Sequence, residues 1–356
     1  MKVAAAVPTL IVGHGNMGTK HARVLRELGG AAAVWGVVDP SEERRRRAEL
    51  DNQCRSFATL DEALRTGERP GCATVAASTP LHFALASQLL AERIPTLVEK
   101  PIASSAAEGR ALVALAEKQA TVFTVGHVER FNPAAVAARR IVAEKLIGET
   151  IQLCFRRVGG SPANPSTALQ DVLADLAVHD YDLAGFITGG TLEIVDALGH
   201  RDSGQLDSAQ ILGRLSTGAS MQLQVNWRTP VKIRRIELTG SAGYAEINLI
   251  TQEVVLYRQN PLLTASRINP DTTSYFDTYL LSFASPDRME LGIERREPLR
   301  EELAAFWRAV QGEQSPMSPD DAVTVVRLTE ITRELLERHE RGDQDRRDQG
   351  RDSDSG

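Results

Sequence analysis

The sequence predicts an α/β protein in which a parallel-sheet domain precedes an α+β domain with a mostly antiparallel sheet. Three observations carry this. Short apolar runs alternate with helical patterns over the first 126 residues. A glycine-rich turn stands at the first strand–helix junction. After Gly126 the alternation gives way to runs of strands without helices between them.

In the first region, Val7–Val12, Ala33–Val38, Ala73–Ala77, Thr96–Val98 and Val122–Val125 are the apolar runs. Helical patterns lie between them at Met17–Leu28, Ser41–Leu50, Asp61–Arg65, Leu81–Ala91 and Ser104–Gln119. Such alternation demands parallel strands with right-handed crossovers, and nearly continuous apolar strands fit a sheet covered on both faces. In the second region, Pro133–Lys145 reads as a helix, Glu149–Val158 as a strand, Gly159–Pro165 as a loop and Leu169–Ile187 as a helix. Strands and turns then fill Leu192–Tyr257, residues 258–298 are irregular, and Pro298–Val310 and Asp320–Glu337 are helical. The tail from His339 has almost no apolar residue and is expected to be disordered. The expected domains are 1–126 and 127–338, with tail 339–356; the closing helix has the option of packing back on the first domain.

Composition excludes several classes. The 356 residues are 42% hydrophobic and 25% charged, as in ordinary globular proteins. A net charge of −6 argues against nucleic acid or an anionic membrane as the main partner. No run approaches the length of a membrane span, and the apolar N-terminus flows into glycines, so it reads as a first strand. Cys54, Cys72 and Cys154 are too few and scattered for a disulfide framework or a zinc site, and read as free thiols in a reducing cytoplasm.

Gly13-His14-Gly15-Asn16-Met17-Gly18 is G-x-G-x-x-G between a strand and a helix. Glycine is needed where the backbone turns tightly and where it approaches a pyrophosphate, and the helix N-terminus supplies free N–H groups. Asp39 ends the second apolar run, where a carboxylate accepts the ribose hydroxyls of NAD and repels a 2′-phosphate. This is a Rossmann signature for NAD. Arg44 to Arg47, one turn further on, are the counter-evidence for NADP; such a run is also an ordinary solvated helix face.

Two further groups carry chemistry. Glu99-Lys100-Pro101 follows a strand at the carboxyl edge of the sheet, where ligands bind in open α/β folds. Lys100 there is placed to hydrogen-bond a substrate hydroxyl; a surface Lys before a helix-starting Pro is the plainer reading. On the helix after the Gly/Pro loop, Asp175 and His179 are four apart and share a face, with Asp182 three further on. His179 suits proton transfer near neutrality and Asp175 suits orienting it; a buried histidine on an acidic helix is the alternative.

In this order and at these intervals, the Gly13 turn, Val98-Glu99-Lys100-Pro101 and Asp175-x-x-x-His179-Asp180-x-Asp182 resemble the glucose–fructose oxidoreductase / inositol dehydrogenase (Gfo/Idh/MocA) family. Pro298-Leu299-x-x-Glu302-Leu303-x-x-Phe306 and Ser318-Pro319-Asp320-Asp321-Ala322 resemble its closing segment. The resemblance covers nearly the whole chain. It implies a Rossmann domain followed by an α/β domain whose large open sheet packs subunits into homodimers or homotetramers. It assigns catalysis to Lys100, Asp175 and His179. Val75 to His82 resembles the stretch lining the nicotinamide side, which adds Ser78, Thr79 and His82, with Glu99 and Lys100, to the cofactor contacts at Gly13, Gly15, Asn16, Met17, Gly18 and Asp39. Many members carry Pro where this chain has Ser78.

Gly126-His127-Val128-Glu129-Arg130-Phe131-Asn132-Pro133 resembles a string of the family's nucleotide-sugar dehydrogenases, in particular those oxidising the 3-hydroxyl of UDP-N-acetylglucosamine. On that reading Glu129, Arg130 and Asn132 contact sugar or diphosphate, and Arg156 and Arg157 are further diphosphate candidates. The alternative is a Glu129–Arg130 ion pair and Asn132 capping the helix that begins at Pro133. An inositol or free-sugar dehydrogenase, and a non-catalytic NAD(H) sensor, are the competing functions.

Overall fold

The computed structural model describes residues 6–160, 171–258 and 287–353, with side chains described to residue 342. The expected loop positions 161–165, the start of the helix at Leu169 and residues 259–286 lie outside the described residues. The chain divides into two compact units, Met1–Phe131 with Arg296–Glu334, and Asn132–Arg295 with Leu335–Gly356.

The first unit is a six-stranded parallel sheet. Its strands are β1 (Thr9–Val12), β2 (Val34–Val38), β3 (Arg55–Phe57), β4 (Cys72–Val75), β5 (Thr96–Glu99) and β6 (Phe123–Gly126). Their order, β3-β2-β1-β4-β5-β6, reverses between β1 and β4, which places a crevice at the carboxyl ends of these strands. Helices α1 (Asn16–Gly29), α2 (Glu42–Asn52), α3 (Leu60–Leu64), α4 (Thr79–Ala91) and α5 (Ala106–Gln119) make the crossovers. β1 and β4–β6 are buried at every position, as a doubly covered sheet requires. One core gathers Leu10, Val12, Ala73, Val75, Leu89 and Val98; the other gathers Ile11, Val37, Leu97 and Leu25.

β3 was not expected. It is a three-residue edge strand with no buried position, so no apolar run announces it. The first unit also reaches past Gly126 to Phe131, because Val128 and Phe131 pack in the second core. That core takes in helix α8 (Pro298–Val310) through Leu299, Leu303, Phe306 and Trp307. The Trp307 indole N–H donates to Thr9 Oγ1 at 3.0 Å, and that hydroxyl lies 3.3 Å from Cys72 Sγ. Burial pushes the Cys72 thiol up to about 12. All three cysteines are free.

The second unit carries an eight-stranded sheet. Its strands are β7 (Thr150–Val158), β8 (Leu192–Asp202), β9 (Gln205–Leu215), β10 (Ser220–Asn226), β11 (Ile233–Gly240), β12 (Gly243–Asn248), β13 (Glu253–Arg258) and β14 (Asp287–Glu290). The order is β14-β13-β12-β11-β7-β10-β9-β8; only β7 and β10 pair in parallel. Helices α6 (Pro133–Ala143) and α7 (Val178–Thr188) pack on one face. The other face shows alternating exposed residues such as Arg156, Glu237 and Glu246.

Helix α9 (Pro319–Ser353) continues through most of the segment expected to be disordered from His339. Its His339 Nε2 lies 2.6 Å from Asp196 Oδ1, and Glu340 accepts from Arg201 Nε at 2.7 Å. These exposed pairs lie where the helix has run out of apolar residues, beyond Leu336; its earlier part is buried through Ala322, Val323, Val326 and Leu328. Among the described residues no helix is long and apolar enough to cross a membrane.

Candidate functional site

The site residues of the first unit are fixed largely by backbone geometry. Gly13 has φ +93°, and a Cβ there would lie 2.7 Å from Ala77 N and 2.8 Å from Ala76 C. A Cβ on Gly18 would lie 1.9 Å from Gly13 O. On Gly15 it would meet nothing within 4 Å, so the turn is closed against β4 and α1 and open on the side where Gly15 stands. Helix α1 has no side-chain cap at Gly15 and no acidic residue in its first turn, leaving first-turn N–H groups for an anion. These features fit the pyrophosphate of a dinucleotide held on main-chain N–H groups at Gly15, Asn16, Met17 and Gly18.

Asp39 is 2% exposed. Its Oδ2 accepts from the His14 N–H at 2.8 Å and its Oδ1 from the Ser41 N–H at 2.9 Å. Lone pairs remain on both oxygens for ribose hydroxyls. The carboxylate therefore ties the glycine turn to the end of β2. Arg44 Nη1 lies 3.7 Å from Oδ2, so it is the member of the arginine run nearest this carboxylate.

The Glu99–Pro101 turn ends β5. The Glu99 carboxylate accepts from His21 Nε2 at 2.8 Å and, weakly, from the Lys100 N–H at 3.3 Å. Burial raises the Glu99 pKa, but the His21 hydrogen bond with the His21, Lys100 and His82 charges outweighs it and holds the group below the usual carboxylate range. Lys100 is half-buried and its peptide bond to Pro101 is cis.

His82, expected to touch the cofactor, is instead 1% exposed. Its Nδ1 faces Pro101 O at 2.8 Å and its Nε2 faces Ala77 O at 3.0 Å. A helix side chain one turn into α4 points back over the preceding loop, so it braces the two loops rather than reaching past them. Ser78 is exposed at the N-cap of α4 and Thr79 is half-buried beside it.

The string that opens with Gly126 has structural work in this protein. A Cβ on Gly126 would lie 3.2 Å from the Glu99 carboxyl carbon, so the glycine makes room for that carboxylate. Arg130 Nη1 pairs with Asp321 at 2.9 Å, with its side chain 10% exposed. Asn132 caps α6: its Oδ1 accepts from the Ala134 N–H at 3.1 Å and its Nδ2 donates to Leu249 O at 2.9 Å. At 2% exposure Asn132 is a helix cap, which corrects its expected role as a sugar ligand. Glu129 is half-buried on the short 3-10 turn Val128–Phe131.

Strand parity corrects the two arginines expected for a diphosphate. Neighbours on a strand face opposite sides of a sheet. Arg157 is 3% exposed on the helix-covered face, its Nε 3.0 and 2.9 Å from the two Asp180 oxygens. Arg156 stands on the exposed face, away from α7.

In the second unit, Asp175 lies in a π-helical turn, Leu173–Ala177, which runs directly into α7. Such turns are rare and concentrate at functional sites. From Asp171 to Ala184 only Asp171, Asp175 and His179 are half-buried and the rest are buried, so these three form one open stripe at four-residue spacing. Asp175 Oδ2 accepts from the Trp227 indole N–H at 3.0 Å. Trp227 follows β10 and is itself held by its N–H to Asp207 O at 3.0 Å. Neither Asp171 nor Trp227 was a candidate from sequence. Asp171 was visible as a third member of the four-residue spacing; Trp227 comes from a different element and gave no signal.

A family model described as an oxidoreductase family with an NAD-binding Rossmann fold matches residues 7–127, and the GFO/IDH/MocA C-terminal domain matches residues 135–246. Among characterised proteins, the chain is 25% identical over 260 residues to UDP-N-acetylglucosamine 3-dehydrogenase of Acidithiobacillus ferrooxidans, covering 70% of this chain and 77% of that protein. It is 28% identical over 248 residues to myo-inositol dehydrogenase Hyg17 of Streptomyces leeuwenhoekii, covering 66% and 75%. Among solved structures, the A. ferrooxidans enzyme GnnA superposes with TM-score 0.77 at 21% identity, covering 93% of this chain and 98% of that one. GenD2 from gentamicin A biosynthesis, in complex with NAD, superposes with TM-score 0.74 at 23% identity, covering 94% and 95%. With a glycine turn shaped for a dinucleotide and family models spanning both units, the chain belongs to the Gfo/Idh/MocA oxidoreductases, as an NAD-binding dehydrogenase.

Proposed function

We propose that this chain oxidises a secondary hydroxyl of a nucleotide sugar with NAD, the 3-hydroxyl of UDP-N-acetylglucosamine being the first candidate and the 3-keto sugar its product. The likeness to the A. ferrooxidans UDP-N-acetylglucosamine 3-dehydrogenase over 70% of the chain carries this reading. The second reading, oxidation of an inositol or free sugar, is favoured by the comparable likeness to myo-inositol dehydrogenase and by the engagement of Arg130 and Arg157 in ion pairs.

NAD, when bound, supplies the hydride acceptor. The protein's own part is proton transfer, charge and position. His179, half-buried on the open stripe of α7, is the base for the hydroxyl proton; Asp175, held by Trp227, orients it and stabilises the imidazolium that forms. Lys100, at the carboxyl end of β5, donates to the substrate oxygen and stabilises charge developing there. Asp39 leaves room for ribose hydroxyls and disfavours a 2′-phosphate.

Purified protein with NAD and either UDP-N-acetylglucosamine or myo-inositol, followed by NADH absorbance, separates the readings. Turnover of the inositol alone overturns the nucleotide sugar, and NAD binding without turnover of any polyol or sugar favours a sensor. Lys100→Ala should lower kcat by at least ~1,000-fold while NAD affinity stays within about threefold. Loss of NAD affinity instead would make Lys100 a cofactor ligand.

A further inference from the structure

His21 sits in the first unit with no assigned task. It is fully buried on α1, among Gly18, Ala22, Val24 and Leu25. Its Nε2 donates to Glu99 Oε1 at 2.8 Å, and its Nδ1 has no hydrogen-bond partner among the described residues. A leucine would fill such a position without leaving a polar atom unsatisfied, so a histidine here needs a reason. The Glu99 carboxylate is enclosed by His21 on one side and by the Cα of Gly126 on another, where even a methyl group would come within 3.2 Å. Its second oxygen accepts from the main-chain N–H of Lys100. One residue further on, Pro101 O faces the His82 ring, which also faces Ala77 O. The three residues of the turn are thus gripped from two helices by buried side chains.

We propose that His21 is a positioning residue: through Glu99 it fixes the main chain from which the Lys100 side chain springs, while His82 braces the far end of the same turn. This rests on the reading of Lys100 as the group that stabilises charge on the substrate. Neither histidine touches substrate. Each acts by removing freedom from the turn, so that the ammonium is delivered to one place; a displacement of about 1 Å at such a group costs on the order of 100-fold in rate.

The test is the full-length double variant His21→Leu/Glu99→Leu, which replaces the buried pair by apolar groups of similar size. Such replacements are commonly near neutral for stability. We expect the melting temperature to change by only a few degrees and NAD affinity, by calorimetry, to stay within about threefold. Amide exchange of residues 100–104, by mass spectrometry, should accelerate ~10-fold. With whichever sugar the parent oxidises, kcat should fall ~100-fold at nearly constant KM, and His21→Gln, which keeps a donor at the same reach, should recover most of it. Parental exchange in the turn overturns the brace, and so does a joint loss of NAD affinity, which would make the pair part of the cofactor site. If the double variant does not fold, Glu99→Gln alone is read by the same exchange and kcat measurements. If the parent oxidises no sugar, the reading of Lys100 fails, yet the exchange rates still decide whether His21 and Glu99 hold the turn.

Discussion

Glu99 in the first unit and Asp180 in the second are both buried carboxylates held by a basic side chain, and the two pairs work differently. In the first unit Glu99 and His21 have side-chain exposures of 10% and 0%; in the second Asp180 and Arg157 have 2% and 4%. Arg157 is permanently charged and its Nε meets both oxygens of Asp180, clamping α7 to β7 next to His179. His21 offers one donor to its carboxylate, which bears on a turn rather than on a helix. The contrast separates two ways of placing the side chains proposed to react. Lys100 depends on the conformation of three residues, whereas His179 depends on where a whole helix lies.

The largest effect should come from breaking the arginine clamp. Asp180→Ala leaves Arg157 charged and buried, at a cost of about 3–5 kcal/mol, whereas Arg157→Met/Asp180→Leu should return most of that stability. Urea denaturation of the three proteins checks this. If the single and double variants are equally destabilised, the pair's charge is not what holds α7. NAD affinity should be unchanged in every protein that remains folded, because Asp180 belongs to the second unit.

A smaller effect is expected at Trp227. The Asp175–Trp227 hydrogen bond steers a carboxylate on a half-buried stripe, where water competes. Trp227→Phe should keep the fold and lower kcat about tenfold, in line with the loss of one hydrogen bond to a charged group. An unchanged kcat would mean that Asp175 is oriented by other neighbours.

How much of this was legible in the sequence follows from the same division. The glycine turn was readable because backbone constraints leave fixed spacings: a Cβ at Gly13 or Gly18 has no room, so the residue type is dictated locally. The alternation of buried strands and helices was readable for the same reason. β3 was not, since three half-exposed or exposed residues carry no apolar signal. Arg156 and Arg157 read alike as neighbours, and only the sheet's face assignment separates them. Asn132 offered two roles to the sequence, cap or ligand, and the choice lay in its distance to Leu249, 117 positions away. Trp227 was invisible because its partner Asp175 lies 52 residues earlier on another element.

The smallest effect, and the one that tests whether the two units differ in their response to acid, is a pH dependence. His82 and His14 both have pKa values lowered from the usual histidine value of 6.5, chiefly by burial. For His82 the carbonyls of Pro101 and Ala77 and the Glu99 charge oppose that shift. For His14 the charges of Asp39 and Asp51 oppose it, and those of Arg47 and Arg44 reinforce it. Below about pH 6.5 the unfolded chain binds protons that the folded unit resists, so stability falls as pH drops from there toward the depressed folded values. In the second unit Asp207 has its pKa lowered: burial opposes the shift, but hydrogen bonds from His200 and Arg228 exceed it. That contribution is lost only as pH falls through a value below 3.8. The three tryptophans allow the first unit to be followed alone, since in Trp227→Phe only Trp35 and Trp307 remain and both lie in it. Their fluorescence melting temperature should drop by a few degrees between pH 7.5 and 5.5, and His82→Gln should flatten that dependence. A melting temperature that rises on acidification would reverse the sign and show that the charged form of His82, donating to both carbonyls, is the one the fold prefers.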